Sequence, residues 1–506
     1  MKSRLPTTPA EPPELLRARL EAFVRGCREP AVLEPGERTI PLEPGRFELE
    51  IHGTAVVLHA WSEATNLVRR LLRVREERPG RLELAVQRLG RAEAVLWVLD
   101  LARAGAHFDR QAGRLEFRER FRRMLAREFG GWEVSRISAA ADLEHSLSPA
   151  YARALLTRGT SAFAAIGVDD DADAATCDHA LSFGLIWLDY LRALEKRRAV
   201  QGLKLFLPQK RSAVTGRRLV FLDPALAEYA LYEFASDNST ALMEKTNSGN
   251  LATHLAPAPP VPEPSLPIAA WIDRLQRRFD LECVPRADGL LSMRVRGLEF
   301  ARTSATLMTY GFEEDRPVTS ATFSHVEDLA KELSQARSPQ ADDRQHPLYR
   351  TAPERWLESL VRAAPSVLDG NLRAESIYSQ VPAVAGVESG ILDLLACDRN
   401  GRLAVLELKA SEDIHLPLQG LDYWMRVKWH LDGGGFRARG YFPGVELQPA
   451  PPRLLLISPA FDFHPTTETI LRYFSPQVEV ERIGVGAEWR HGLQVVFRAR
   501  GAERPG

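Results

Sequence analysis

Residues 390–409 read GILDLLACDRNGRLAVLELK and contain two apolar runs on either side of a polar turn. The runs at 391–396 and 403–408 have the length of strands, and the intervening Asp-Arg-Asn-Gly cluster is typical of a tight turn. We therefore predict that this region forms a β-hairpin.

The register of the hairpin determines where its ionisable side chains point. If the loop has three residues and ends at a left-handed Gly401, Asp393 lies opposite Glu407. Directly opposed residues share a face with their Cβ atoms roughly 5 Å apart. Lys409 returns to the same face two residues after Glu407. A two-residue loop would instead turn Asp393 to the opposite face and separate these groups.

Two carboxylates beside an ammonium group suit metal-dependent hydrolysis of a phosphodiester. Mg²⁺ or Mn²⁺ takes oxygen ligands, so Asp393, Glu407 and the backbone carbonyl of Leu408 are the predicted metal ligands on this hairpin. The cation would lower the pKa of a bound water and stabilise charge on the phosphate, while Lys409 orients that water or neutralises the transition state.

A simpler interpretation is an exposed strand that carries a solvated Glu-x-Lys pair. The neighbours of Glu407 and Lys409 are Val405, Leu406 and Leu408, however, which indicates an interior strand. An unpaired charge in such a strand costs several kcal/mol, so we favour a functional role for these residues.

The pattern resembles the PD-(D/E)xK nuclease superfamily, and most nearly the catalytic domain of NucS-like endonucleases. Asp393 matches the first acid of the family pattern, and Glu407 with Lys409 matches the second signature. Leu392 stands where the family name expects Pro, a frequent relaxation. The resemblance covers about residues 350–430 and implies an α/β restriction-endonuclease-like core, in which helices flank a mixed sheet, and a Mg²⁺-dependent deoxyribonuclease activity.

Two predicted helices supply further matches to the family. In the helix after the hairpin, Gln419 and Tyr423 match a Gln-x-x-x-Tyr motif, and we assign both to the catalytic set. Arg426 lies on the same helical face and is predicted to contact a nucleic-acid phosphate. In the helix before the hairpin, Glu358 is the predicted carboxylate that completes the metal site, with Glu354 as the alternative one turn away.

Composition and length set the limits of the fold class. The chain has 506 residues, of which 45% are hydrophobic and 26% charged, which predicts about three globular domains. No apolar stretch approaches the roughly 20 residues that cross a bilayer, so we expect a soluble cytoplasmic protein with no membrane partner. The four cysteines are widely spaced and suggest neither a disulfide framework nor a zinc site.

Positive charge is concentrated in the N-terminal half, although the net charge is −1. Residues 69–127 hold 16 Lys and Arg against 8 Asp and Glu, and residues 192–218 hold 9 against 1. Such segments can be ordinary solvated faces, but beside a nuclease-like region they favour a nucleic-acid surface. The predicted contacts are Arg118, Arg120, Arg122, Arg123, Lys210 and Arg211.

Changes in composition divide the chain into five parts. The clearest boundary is a Pro-rich stretch at 256–267, and no internal repeat is apparent in the sequence. The predicted parts are a β-sheet with basic helices (1–130), a mainly helical region (131–255), a Pro-rich linker (256–267), a small α+β module (268–345) and the nuclease-like domain (346–506).

The periodicity of apolar residues predicts the individual elements. We expect an antiparallel sheet over 38–90, helices at 91–104, 115–128, 149–157 and 180–194, and, in the small module, helices at 268–279 and 326–336 with two or three strands between 290 and 311. Further strands are predicted at 437–442, 453–458 and 493–498.

The expected function is that of a DNA endonuclease in restriction, repair or defence, with residues 1–345 contributing substrate binding. RNA is not excluded as a substrate, and a homodimer is plausible because many nucleases that cut both strands act as pairs. One alternative is a noncatalytic nucleic-acid-binding or interaction protein that retains a nuclease fold. Another is a different metal-dependent hydrolysis, which the Glu-x-Lys signature and the Gln-x-x-x-Tyr motif disfavour.

Overall fold

The protein is a multidomain α+β chain whose described residues form four β-sheets. The structure is a computed structural model that describes residues 12–34, 40–53, 55–61, 66–87, 93–244, 253–312, 314–385 and 388–503. For residues 66, 101–112, 380, 382–385 and 388–392 it describes the backbone alone. The described residues form two compact units, one within Met1–Ala180, Tyr190–Gln209 and Tyr232–Ala241, the other within Leu181–Asp189, Lys210–Leu231 and Leu242–Gly506.

The N-terminal region contains a helix and an antiparallel sheet: α1 (Pro13–Gly26), β1 (Pro30–Leu33), β2 (Ile40–Pro41), β3 (Phe47–His52), β4 (Ala55–Trp61), β5 (Asn66–Arg78), β6 (Arg81–Gln87) and β7 (Glu93–Asp100). The strand order is β2-β1-β7-β6-β5-β4-β3. Burial alternates along β4, and its inward face joins Leu16 and Leu20 of α1 in one core. The predicted sheet over 38–90 is confirmed; residues 38–39, 54, 62–65 and 88–90 lie outside the described part.

A second sheet and its helices follow. The elements are α2 (Leu101–Glu128), β8 (Glu133–Ser138), β9 (Tyr151–Arg158), β10 (Ser161–Val168), α3 (Ala174–Leu194), β11 (Ala199–Pro208), α4 (Ala213–Leu219), β12 (Glu228–Phe234) and β13 (Thr240–Leu242). The strand order is β13-β12-β11-β10-β9-β8.

The prediction that residues 131–255 are mainly helical is therefore wrong. The expected helix at 149–157 is strand β9, whose residues 151–157 are all buried because the strand has neighbours on both sides and is covered on both faces. The expected helix at 91–104 is also wrong, because β7 runs to Asp100 and α2 begins at Leu101; residues 91–92 lie outside the described part. The helices at 115–128 and 180–194 are confirmed as parts of α2 and α3.

The Pro-rich stretch 256–267 has no regular secondary structure up to the start of the next helix at Leu266 and lies within the second compact unit. The small module that follows confirms the predicted helices and strands. It consists of α5 (Leu266–Arg278), β15 (Glu282–Pro285), β16 (Leu291–Val295), β17 (Leu298–Thr303), β18 (Met308–Tyr310), β19 (Arg316–Pro317) and α6 (Phe323–Ala336). Its strands form an antiparallel sheet in sequence order, against which α5 and α6 pack.

The C-terminal region contains a mixed sheet and its helices. The elements are β14 (His254–Leu255), α7 (Pro347–Arg350), α8 (Pro353–Ala363), α9 (Pro365–Leu368), β20 (Leu372–Ala385), β21 (Glu388–Asp398), β22 (Leu403–Leu408), α10 (Leu416–Asp432), α11 (Gly435–Ala438), β23 (Arg453–Pro459), α12 (Thr467–Leu471), β24 (Glu479–Val485) and β25 (Val495–Arg500). Among the described residues the sheet has seven strands in the order β14-β20-β21-β22-β23-β24-β25. Strands β22, β23 and β24 are parallel to each other, and the remaining neighbours are antiparallel.

Helices cover both faces of this mixed sheet. Trp356 and Leu357 of α8 share a core with Leu406 and Leu408 of β22. On the other face, Gly420 lets α10 approach the sheet so closely that an added Cβ would lie 2.7 Å from the Leu456 side chain. The predicted strands at 453–458 and 493–498 are confirmed, whereas the one predicted at 437–442 is wrong, since α11 and a turn occupy that segment.

None of the helices among the described residues combines the length and the apolar character needed to cross a membrane.

Candidate active site

The hairpin adopts the register with the three-residue loop. Leu394 pairs with Leu406 and Cys397 with Leu403, as this register requires. Gly401 has a φ of 86° and its N–H donates to the Asp398 carbonyl over 3.0 Å. The register predicted from the sequence is therefore confirmed, and the two-residue loop is wrong.

Asp393 lies just beyond the last ladder pair, where β21 and β22 begin to separate. The Leu408 N–H donates to Asp393 Oδ2 over 3.0 Å, so the carboxylate takes the place of a backbone acceptor. Burial raises the pKa of Asp393, while this N–H and the nearby Lys409 lower it. The side chain is thereby fixed beside the end of β22.

Glu407 is the most deeply buried acid of the site, with 2% of its surface exposed. It pairs with Leu456 in the ladder to β23 and so points to the face that α10 covers. Burial and the negative charge of Asp393 raise the pKa of Glu407 well above its ordinary value. Its Oε2 is buried without a hydrogen-bond partner among the described residues.

Lys409 supplies positive charge next to the two acids. Its Nζ lies 3.4 Å from Asp413 Oδ2 and 3.9 Å from Glu354 Oε1. Burial disfavours its charge, but the carboxylates of Glu407, Glu354 and Asp413 outweigh burial and raise the pKa of Lys409. The ammonium group is therefore held in its charged form within a cluster of carboxylates.

Glu358 reaches the site from α8 and is 6% exposed. Burial raises its pKa, as does the charge of Asp393, while Arg294 and Arg355 lower it. The Arg294 guanidinium, which comes from β16 of the small module, lies 4.0 Å from Glu358 Oε1. Both predicted α8 carboxylates thus belong to the site. Glu354 lies close to Lys409, and the charge of Asp393 acts on Glu358.

Helix α10 carries the predicted Gln419 and Tyr423 on one face. Burial and the charges of Glu407 and Asp393 raise the pKa of the Tyr423 hydroxyl, so both carboxylates act on this group electrostatically. Gln419, one helical turn earlier, has a buried Oε1 without a hydrogen-bond partner in the described structure. Arg426 is buried, and its guanidinium lies 5.8 Å from the centre of the Tyr423 ring.

The donor atoms at this centre suit a hard divalent cation. Within the described residues, no three or more His, Cys, Asp or Glu side chains form a ready-made metal cage. Mg²⁺ does not require one, because it commonly binds one or two carboxylates and keeps several waters. The unpartnered oxygens of Glu407 and Gln419 are the acceptors that a cation and its waters would satisfy, so the residues fit such an ion.

The predicted nucleic-acid contacts of the N-terminal half do not form a uniform basic face. Arg120 bonds to Asp169 and Asp170 at 2.9 and 2.6 Å, and Arg118 and Arg122 both bond to Glu119. Arg123 is exposed and makes none of these contacts. Within the basic segment 192–218, Lys204, Arg217 and Arg218 are buried, whereas Lys210 and Arg211 are exposed.

Sequence reasoning missed two residues that the fold brings to the centre. Asp413 follows Lys409 by four positions but lies in a loop, where no periodicity predicts that the two side chains meet. Arg294 is far from Glu358 in the sequence and belongs to a different module, so only the tertiary fold reveals their contact.

Neither a comparison with family models nor a search of curated proteins found a match to this sequence. The assignment of a function therefore rests on the geometry of the centre.

Proposed function

We propose that this protein is a metal-dependent nuclease that hydrolyses DNA phosphodiester bonds, with its catalytic centre at the end of the β21–β22 hairpin. The supporting observation is the buried Glu407, which lies beside Asp393 with one carboxylate oxygen unpartnered in the described structure. A fold keeps a buried acid next to a half-buried one at a considerable cost in free energy, which a bound cation relieves. The restriction-endonuclease-like core predicted from the sequence is part of this proposal.

The proposed cation ligands are Asp393, Glu407 and the Leu408 carbonyl, with Glu358 or Gln419 acting directly or through water. A bound Mg²⁺ or Mn²⁺ supplies Lewis acidity, which lowers the pKa of a water and stabilises charge on the phosphate. The protein contributes fixed oxygen atoms: Asp393 is held by the Leu408 N–H, and Glu407 is held by an interior strand.

The other residues position the substrate and the attacking water. Lys409 stays charged and donates hydrogen bonds to the water or to a phosphate oxygen. Tyr423, whose hydroxyl is subject to the charges of both acids, would contact a sugar or base of the substrate. Because Arg426 is buried over the Tyr423 ring, we assign it to holding that ring rather than to direct phosphate contact.

The test is cleavage by the purified full-length protein of single-stranded, duplex, mismatched and branched DNA, and of RNA. Each substrate is incubated with Mg²⁺, with Mn²⁺ and with EDTA. We expect cleavage of at least one DNA substrate that depends on the divalent cation. No cleavage of any substrate under these conditions would contradict the proposal, and metal-independent binding without cleavage would support the noncatalytic alternative.

Single substitutions then locate the centre. Asp393→Asn, Glu407→Gln and Lys409→Met should each lower the cleavage rate by about 100-fold or more, because each removes a group that acts in the transition state. Asp432→Asn is the matched control, since Asp432 is an exposed acid at the far end of α10, paired with Lys428. Far-UV circular dichroism verifies that every variant is folded. Wild-type rates in all three site variants would refute the assignment.

A further inference from the structure

The second sheet and the C-terminal sheet have the same topology. In the second sheet the order is β13-β12-β11-β10-β9-β8, and in the C-terminal sheet the corresponding order is β25-β24-β23-β22-β21-β20. The helices also match along the chain: α2 and α8 precede the first strand, α3 and α10 connect the third and fourth strands, and α4 and α12 connect the fourth and fifth.

Strand directions agree wherever both sheets give them. In each, the second and third strands form an antiparallel hairpin, and the third and fourth are parallel with a helix between them. In each, the first strand is antiparallel to the second. The N–H of Met243 donates to the Leu231 carbonyl and that of Ala235 to the Ser239 carbonyl, an antiparallel pattern like that of β24 and β25.

Helices α2 and α8, which precede the first strand of each sheet, cover the same face of their sheets. Phe117 and Phe121 of α2 pack so closely over Gly167 of β10 that an added Cβ would lie 2.8 Å from the Phe121 ring. Val168, the residue after Gly167, lies opposite Tyr151, whose hydroxyl donates to the Thr176 carbonyl of α3 over 2.9 Å. Val168 therefore points to the face of α3, and Gly167 to the face of α2. Helices α2 and α3 therefore lie on opposite faces, as α8 and α10 do.

The position that corresponds to Glu407 is apolar in the second sheet. Glu407 faces the connecting helix near the end of the third strand, and the residues of β10 in that position are Ile166 and Val168. Opposite them, in place of Asp393, lie Arg153 and Tyr151.

These opposing residues have structural contacts. The buried Arg153 donates to the carbonyls of Ala140 and Ser148. Asp169 follows β10, but its carboxylate is bonded to Arg120 of α2, on the other face. The pair of acids is therefore missing from the described residues at this position.

We infer that residues 101–242 are a second copy of the C-terminal fold without its ionisable centre, so that one chain holds one hydrolytic centre and cuts one DNA strand per encounter. The inference rests on the proposed nuclease function. A duplex has two strands of opposite polarity, and a single centre reaches the scissile phosphate of only one of them at a time. A break in both strands accordingly requires a second chain or a second binding event.

The test follows the products formed from supercoiled plasmid in Mg²⁺ or Mn²⁺, with wild-type protein alone and with an excess of Glu407→Gln protein. We expect nicked circles as the first product. If linear DNA forms at once, the excess of the variant should shift the product to nicked circles, because two chains then cooperate and only one of them cuts. The inference would be overturned if linear DNA is the first product and its proportion is the same with and without the excess of Glu407→Gln protein.

A second measurement counts the centres without relying on cleavage. Titration of Mn²⁺ into wild-type protein should show binding that Glu407→Gln largely abolishes and that the control Asp432→Asn retains. A Mn²⁺ site of comparable affinity that persists in Glu407→Gln would reveal another centre and overturn the inference. Failure of the wild type to cut any nucleic acid would instead remove the nuclease proposal on which the inference depends.

Discussion

At the residue scale, Glu407 shows the conflict between stability and function most clearly. Its carboxylate is almost completely buried next to Asp393, and its pKa is raised by burial and by the charge of that neighbour. The folded protein therefore holds a proton on Glu407 more tightly than the unfolded chain does. Ionisation of Glu407 must then destabilise the metal-free fold.

We expect Glu407→Gln to stabilise the metal-free protein, and increasingly so as the pH rises. Below the ordinary pKa of 4.5 the wild-type side chain is protonated in both states, so Glu407 and Gln differ little. Above it the unfolded chain ionises first, and the free energy of unfolding of the wild type falls relative to the variant by about 1.4 kcal/mol per unit of pKa elevation. The difference stops growing above the raised pKa.

Urea denaturation at a series of pH values in EDTA measures this effect. Asp432→Asn serves as the control, because an exposed ion pair contributes little to stability. A stability difference that is independent of pH, or that shrinks as the pH rises, would show that folding does not raise the pKa of Glu407.

The ion pair between Arg294 and Glu358 makes a second prediction at this scale. Both side chains are buried, and their closest atoms are 4.0 Å apart. Arg294→Met should destabilise the protein by roughly 3–5 kcal/mol, because it leaves a buried carboxylate without its cation.

A double-mutant cycle with Glu358→Gln separates this interaction from the loss of packing. The double variant Arg294→Met/Glu358→Gln should regain part of the lost free energy of unfolding, as measured by chemical denaturation. Strictly additive effects of the two substitutions would mean that the two side chains do not interact energetically.

At the element scale, the β21–β22 hairpin is the part of the site that the sequence predicted best. The Asn-Gly signal and the apolar runs on either side specify the loop and the register, so the convergence of Asp393, Glu407 and Lys409 followed from local rules. Strand β9 was mistaken for a helix because Ala and Leu are strong helix formers, while its burial on both faces depends on neighbours distant in the sequence. Arg294 was missed for the same reason.

The loop also provides a prediction about Gly401. Its φ is 86°, and an added Cβ would lie 2.0 Å from the Glu446 carbonyl oxygen. Gly401→Ala should therefore destabilise the protein by more than the roughly 1–2 kcal/mol expected for a left-handed residue alone. It should also reduce cleavage, because relief of the clash would disturb the register.

Gly434→Ala is the matched control for this substitution. Gly434 also has a positive φ of 65°, but nothing lies within 4 Å of an added Cβ. Thermal denaturation of both variants measures the difference. Equal losses of stability would show that contact with Glu446 does not constrain the loop.

At the scale of the whole molecule, the charge count of the N-terminal half overstated its free positive charge. Arg118 and Arg122 pair with the neighbouring Glu119, and Arg120 pairs with Asp169, a contact that only the fold could reveal. The repeated topology was invisible in the sequence for a related reason. The order of the elements is shared, but the residues at the position of the centre are not.

Substitution of individual arginines distinguishes DNA contacts from structural pairs. Arg123→Gln should weaken DNA binding and reduce the slope of log K against log salt by about 0.9 if Arg123 contacts one phosphate. Arg120→Gln should lower the stability and leave the slope unchanged, because Arg120 is already bonded to Asp169 and Asp170. Fluorescence anisotropy at several salt concentrations measures the slopes. Identical slopes for Arg123→Gln and the wild type would remove this helix from the DNA-binding surface.

The three-residue loop of the hairpin has a consequence for how this protein can evolve. Surface turns usually tolerate insertions and deletions, and their lengths drift freely between lineages. Here a change of one residue would exchange the inward and outward sides of a whole strand and carry the acid of β21 away from its partner. Among descendants that keep the chemistry, the sequence between Asp393 and Glu407 should accumulate replacements but no gaps.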